Sequence, residues 1–153
     1  MERRFYAVEI AYDGTRFRGF QRQPGLPTVQ EALETALASV GVRAPLAVAA
    51  RTDAGVHAVG QVVSFAVRLA LDPDALRRGL NAALPEAILA RAVHRVAPSF
   101  HARSSAAGRT YVYLVGAPPP DGLAPYAWTL PDPLAFPGLE AVLLDPGAVR
   151  DAL

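Results

Sequence analysis

Ala87-Ile88-Leu89-Ala90-Arg91-Ala92-Val93-His94-Arg95-Val96 is the stretch on which the fold turns. Its period allows a helix. Pro85 just upstream, and the alternation of Ile88, Ala90, Ala92 and Val93 with polar sites, leave the local evidence mixed. The elements on either side favour a strand by topology.

Working outward, residues 4–12 (RFYAVEIAY) form an apolar run with partial alternation, which predicts a strand punctuated by Asp13-Gly14-Thr15. Residues 16–27 read as a basic loop bearing aromatics. Thr28 is placed to cap a helix, with Glu31 three residues on to complete a capping box. Val29, Leu33, Ala36, Leu37 and Val40 share one face of that helix, and Gly41 is a C-terminal stop. A short apolar strand at 46–50 (LAVAA), a loop over Arg51–Gly60 and a strand at 61–69 (QVVSFAVRL) follow. Asp72 and Pro73 supply the N-cap and first turn of a second helix, with Ala75, Leu76, Gly79, Leu80 and Ala83 on its apolar side. After the deciding stretch come a polar loop over 98–108 and a strong β-forming run at 109–115 (RTYVYLV).

With 87–96 extended, the order is β-α-β-β-α-β-β, the last strand being an addition. That predicts an α+β, ferredoxin-like split β-α-β domain: one antiparallel sheet with helices on one face and the other face open to a ligand or partner domain.

The 153-residue chain is 52% hydrophobic and 19% charged, which excludes a disordered polymer. It contains no cysteine, so a disulfide scaffold and cysteine-based zinc are ruled out. No run of about 18 apolar residues is present to span a membrane. The N-terminus MERRFYAVEI has no signal-peptide pattern. A cytoplasmic protein is expected. All 15 basic residues are arginine, which GC-rich coding explains, although the guanidinium fork also suits phosphate. Residues 1–115 hold 14 arginines against 9 acids, a net of +5, whereas 116–153 hold 1 against 5, a net of −4. Only the first part offers a polyanion a favourable field, and a modest one. Eight of the 14 prolines lie in 118–146. The expected organisation is therefore a domain over 1–115, a proline-rich connecting segment over 116–144 in which Trp128 is a docking anchor, and the first turns of a further domain over 145–153.

The candidate chemistry sits in Arg51-Thr52-Asp53-Ala54-Gly55-Val56-His57-Ala58-Val59-Gly60-Gln61, polar residues between two apolar strands. Asp53 suits a nucleophile or base beside a cationic neighbour, or else an Asx-turn or a structural pair with Arg51. His57 reads as packed against loop backbone or touching phosphate. His94 and His101 have no metal-ligand spacing to it, and no metal site is expected. Gln61 contacts backbone or substrate, or is merely a polar strand start. Arg16, Arg18 and Arg22 interleave with Phe17 and Phe20, a pattern that grips phosphates and stacks bases, or a solvated loop with two docked rings. Phe100-His101-Ala102-Arg103 is a similar patch. Tyr111 and Tyr113 share one side of a strand, as core or as a stacking surface.

These blocks together resemble the N-terminal part of the TruA-type tRNA pseudouridine synthases. The resemblance rests on Tyr12-Asp13-Gly14-Thr15, Gly19-Phe20-Gln21-Arg22-Gln23, Thr28-Val29-Gln30-Glu31, Arg51 to His57, Gly60-Gln61-Val62-Val63, Leu80 to Pro85, Phe100 to Arg103 and Arg109 to Tyr113, in family order. It implies isomerisation of uridine to pseudouridine in the tRNA anticodon stem-loop, typically at about positions 38 to 40. Asp53 falls on the family's catalytic aspartate, Arg51 on an arginine tied to base flipping, and Tyr111 on the tyrosine that packs against the target base. Arg22, His57, His101, Arg103 and Arg109 fall at or near the RNA-binding cleft. No cofactor is implied, because the reaction is redox-neutral.

The carboxylate's choice among attack at C1′, attack at C6 and removal of the C2′ proton stays open. A non-catalytic RNA-binding module or an inactive fragment is the alternative. Two departures stand out: Ala50 replaces a usual glycine, and Phe20 a usual tryptophan. The family's second domain, which completes the cleft, and its homodimeric assembly on tRNA are expected outside the 153 residues.

Overall fold

Alternation along Arg4–Tyr12 builds the centre of the molecule (β1), placing Tyr6, Val8, Ile10 and Tyr12 on one face, all buried. The computed structural model describes residues 2–116 and 122–129. The chain divides into two units, Met1–Arg109 and Thr110–Leu153.

In the first unit, β1 is followed by a single 3-10 turn at Gly14–Arg16, helix α1 (Val29–Ser39), β2 (Ala47–Val48), β3 (Ala58–Val67), α2 (Pro73–Ala83) and β4 (Ile88–Val96). The sheet order is β2-β3-β1-β4, every neighbour antiparallel. This is the ferredoxin-like split β-α-β arrangement, and the deciding stretch is a strand. Val8 pairs with Val63 on one side and Val93 on the other. Those residues join Val29, Leu33, Ala36 and Leu37 of α1 and Leu76 and Leu80 of α2 in one core, so both helices pack on the same face. Burying each of these valine and leucine side chains stabilises the fold by about 1.5–3 kcal/mol.

The caps follow the sequence closely. Thr28 Oγ1 accepts from the Glu31 N–H at 3.3 Å, and Asp72 Oδ1 from the Ala75 N–H at 2.7 Å. The expected capping box is only half formed. The Glu31 carboxylate turns instead to Arg22, 3.5 Å away. Gly41 takes φ +80°, the left-handed stop.

Three expectations change. β3 begins at Ala58, so three residues assigned to the loop belong to the strand. Ile10 pairs with Gln61 and Tyr12 with Ala58, leaving Val59 and Gly60 opposite one residue, and this β-bulge lets pairing continue. A second bulge on β4 sets Arg91 out of register, between Ala90, which pairs with Ile10, and Ala92, which pairs with Glu9.

The sheet face opposite the helices is not left bare. Residues 98–109 cross it, with Ala102 buried and its N–H donated to Ser64 Oγ at 3.0 Å.

The run at 109–115 does not add a strand to this sheet. Only the end of this run forms a strand, Leu114–Gly116 (β5), and it pairs in parallel with Ala127–Thr129 (β6) inside the second unit. High β-propensity needs an available edge to be realised, and here the edge lies in the second unit. β6 also puts a strand, Trp128 included, within the proline-rich segment. Most of the connecting segment 116–144, and the helical start at 145–153, lie outside the described residues.

Candidate active site

The loop from Ala49 to His57 joins β2 to β3 and is pinned at nearly every residue. Ala49 N–H continues the strand ladder onto Val62 O at 2.9 Å. Thr52 O accepts the Phe20 N–H at 2.9 Å, Gly55 N–H reaches Phe17 O at 3.3 Å, and Val56 N–H closes a turn onto Asp53 O at 3.2 Å. Thr52 Oγ1 bonds the Tyr12 hydroxyl at 2.8 Å. The neighbouring 14–20 segment lies so close that two glycines are required. A Cβ on Gly14 would meet Val56 O at 2.0 Å, and one on Gly19, whose φ is +92°, would meet Thr52 O at 2.9 Å.

On this fixed loop the side chains of Arg51 and Asp53 are exposed. Together with Arg18, Gly19, Gln21, Arg22, Gln23, Leu26, Thr52 and Ala54 they line a cleft of about 600 Å³. Among the described residues, Arg51 and Asp53 form no ion pair with each other or with any other group. The structural-pair alternative for Asp53 therefore falls. A free carboxylate among three arginines is an arrangement that can hold a polyanion and present an acceptor or nucleophile to it.

The remaining sequence candidates are placed as follows. Arg22 lines the cleft, but its guanidinium faces Glu34 at 3.0 Å and Glu31 at 3.5 Å. His57 is half-buried behind the loop, its Nδ1 3.1 Å from the Gly14 N–H and 3.2 Å from Asp13 Oδ1. Nδ1 accepts from Gly14 only when unprotonated and donates to Asp13 only when protonated. The shared approach marks His57 as a brace between the loop and the Asp13 turn. His101 and Arg103 are exposed on the segment crossing the sheet and are not among the cleft's lining residues. Arg109 donates Nε and Nη2 to Ala49 O at 3.2 and 2.7 Å, gripping the root of the loop. Tyr111 and Tyr113, in the second unit, are 59% and 79% exposed, which removes the core reading for both.

Phe17 and Phe20 are buried, so the rings interleaved with Arg16, Arg18 and Arg22 are docked in the core and do not stack on a ligand. Phe20 packs on Tyr12 with ring centroids 6.3 Å apart. Sequence reasoning passed over Tyr12 as a site-supporting residue. The available signal was its parity with Ile10 at the end of β1, next to the Asp13 turn. Among the described residues no three His, Cys, Asp or Glu side chains converge on a metal position, and no helix is long and apolar enough to cross a membrane.

Fold and cleft together define an α+β domain that displays an unpaired carboxylate among arginines on an immobilised loop. Residues 9–103 match the family model described as tRNA pseudouridine synthase. The chain belongs to that family. It is 51% identical over 116 residues to a tRNA pseudouridine synthase A of Neisseria gonorrhoeae, covering 74% of this chain and 44% of that protein. It is 47% identical over 131 residues to that of Ralstonia nicotianae, covering 82% and 47%. To that of Streptococcus thermophilus it is 42% identical over 135 residues, covering 86% and 54%. The chain spans about half the length of the curated relatives it matches.

Proposed function

We infer that this chain is the carboxylate-bearing half of a tRNA pseudouridine synthase, with Asp53 as its catalytic residue and uridines of the anticodon stem-loop as targets. The observation that carries the reading is the Asp53 side chain, exposed in an arginine-lined cleft on a loop held by backbone bonds on both flanks. A module that only bound RNA would gain nothing from a carboxylate facing a phosphate-rich partner. The names of the relatives support the same reaction.

In that reaction the uridine N1–C1′ bond breaks, the base turns, and C5 bonds to C1′. The C5 proton leaves to water and N1 takes one up, so the isomerisation balances without an electron carrier. An ionised Asp53 serves by attacking C1′, by attacking C6 or by removing the C2′ proton. The target base has to leave its stack to reach Asp53, and Arg51 and Tyr111 are the residues proposed to turn and cover it. Arg18, Arg22 and Arg51 hold RNA backbone, which makes binding salt-sensitive. His101 and Arg103 are proposed as RNA contacts from the segment crossing the sheet. His57 and Arg109 act through the loop they brace. Homodimeric assembly on the tRNA and a cytoplasmic location complete the proposal, on the strength of the family resemblance.

Tritium release from tRNA labelled at uridine C5 tests it, using the full reading frame that encodes this chain. Release by wild type and none by Asp53→Ala is expected. Equal release by both would remove Asp53 from the chemistry, and no release by wild type would overturn the enzyme reading.

A further inference from the structure

Among the described residues the Asp53 side chain makes no hydrogen bond and no ion pair, so its position is inherited wholly from the backbone around it. The last strand bond before Arg51 lies two residues earlier, where Ala49 N–H meets Val62 O. Among the described residues Ala50 has no strand partner. The side-chain amide of Gln61 stands in for one: Oε1 accepts the Ala50 N–H at 3.3 Å and Nε2 donates to Ala50 O at 2.7 Å. The same Oε1 accepts the Val62 N–H at 3.2 Å, and the same Nε2 reaches the Tyr12 hydroxyl at 3.4 Å. Gln61 is 7% exposed, so a loop that moved away would leave these polar groups unsatisfied.

The Tyr12 hydroxyl that Gln61 Nε2 reaches is bonded in turn to Thr52 Oγ1 at 2.8 Å. One buried amide therefore fixes the two residues flanking Arg51: Ala50 directly, and Thr52 through Tyr12. Asp53 comes next in the chain. A core at this place would be satisfied by an apolar side chain. What the amide adds is a single allowed position for the loop that carries the carboxylate.

We propose that Gln61, acting through Ala50 and through Tyr12 and Thr52, is a positioning residue that holds the Asp53 carboxylate in reacting geometry. The inference rests on the pseudouridine synthase reading above. Gln61→Met keeps length and removes both amide functions. Tyr12→Phe keeps the buried ring and removes only the hydroxyl, so it serves where Gln61→Met folds poorly. Both are compared with wild type and Asp53→Ala in the full reading frame, with steady-state tritium release from tRNA as the readout.

The expected result is a fall in kcat of about 10-fold to 100-fold for each, because small misplacements at a reacting centre have effects of that size. KM for tRNA stays within about twofold, since the cleft arginines are untouched, and the double variant is little worse than Gln61→Met because the two act in one chain. Loss confined to KM, or full kcat in both variants while Asp53→Ala is dead, overturns the positioning role and leaves the enzyme reading standing. No turnover by wild type overturns the enzyme reading, and this inference with it. Amide hydrogen exchange gives an arm that needs no activity: Gln61→Met should accelerate exchange at Ala50. Unchanged protection there overturns the clamp.

Discussion

Gly14 faces the carbonyl of Val56 so closely that a Cβ on Gly14 would lie 2.0 Å from the Val56 oxygen and 2.6 Å from its carbon. Both atoms are backbone, and the Gly14 N–H is held at the same time by His57 Nδ1 at 3.1 Å. Neither side can yield without moving the loop. Gly14→Ala should therefore cost about 3 kcal/mol or more, at the upper end of overpacking effects. Gly41→Ala is the control. Gly41 has φ +80° with open space around it, so the cost there is the left-handed penalty alone, about 1–2 kcal/mol. Urea unfolding of the two variants checks the difference, and equal midpoints would contradict the close approach.

Arg22 is the cleft cation with internal competitors. Glu34 sits 3.0 Å from it and Glu31 3.5 Å away, both pairs being solvent-exposed. Exposed pairs are worth about 0.2–1 kcal/mol, so an RNA phosphate can displace them. Glu34→Gln should tighten binding of an anticodon stem-loop about 2–5-fold at low salt. It should also steepen the fall of log K with log salt by up to about 0.9. Fluorescence anisotropy across a salt series reads both. Unchanged affinity would mean that Arg22 stays on its carboxylates when RNA is present.

Arg51 contrasts with Arg22 in having no ionic partner among the described residues. Removing it leaves no buried charge behind. Arg51→Ala should stay within about 0.5 kcal/mol of wild-type stability, while turnover falls about 100-fold through lost placement of the base. Arg51→Lys keeps the charge without the planar fork and should recover only part of the activity. Thermal melting and tritium release on the same samples separate these effects. A large stability loss in Arg51→Ala would make the residue structural.

The order of strands and helices, both N-caps and the stop at Gly41 were legible in the sequence because each is a local pattern of period, cap chemistry or glycine placement. The deciding stretch 87–96 was ambiguous by itself and resolved only by its neighbours. Its bulge at Arg91 explains the ambiguity: the extra residue breaks the period of two that a regular strand shows. The run at 109–115 misled because propensity says nothing about which edge is free. At the site, the chain segments carrying Arg22, Arg51 and Asp53 could be read. The pairing of Arg22 with α1, the docking of Phe17 and Phe20 and the bracing role of His57 could not, since each depends on how distant segments meet. Buried side-chain amides are the least legible. Gln61 looks like any polar strand start until Ala50, eleven positions earlier, is seen between its oxygen and nitrogen.

Asn81 repeats that device on the opposite edge of the sheet, where it leads to a pH-dependent prediction. Its Oδ1 accepts the Ala90 N–H at 2.7 Å and its Nδ2 donates to Ala90 O at 2.9 Å, closing part of edge strand β4 from α2. Asn81→Ala should cost about 1–3 kcal/mol, the penalty for leaving two buried backbone groups of Ala90 unmet. Asn81→Asp keeps the acceptor for the N–H but, when ionised, sets a negative oxygen against the Ala90 carbonyl. Protonation restores a donor there, so folding raises the introduced group's affinity for a proton. The stability deficit of Asn81→Asp relative to wild type should therefore be larger at neutral pH and shrink as the solution is acidified. Urea unfolding of both proteins across that range checks it, and a deficit independent of pH would place the Asn81 amide away from the Ala90 carbonyl.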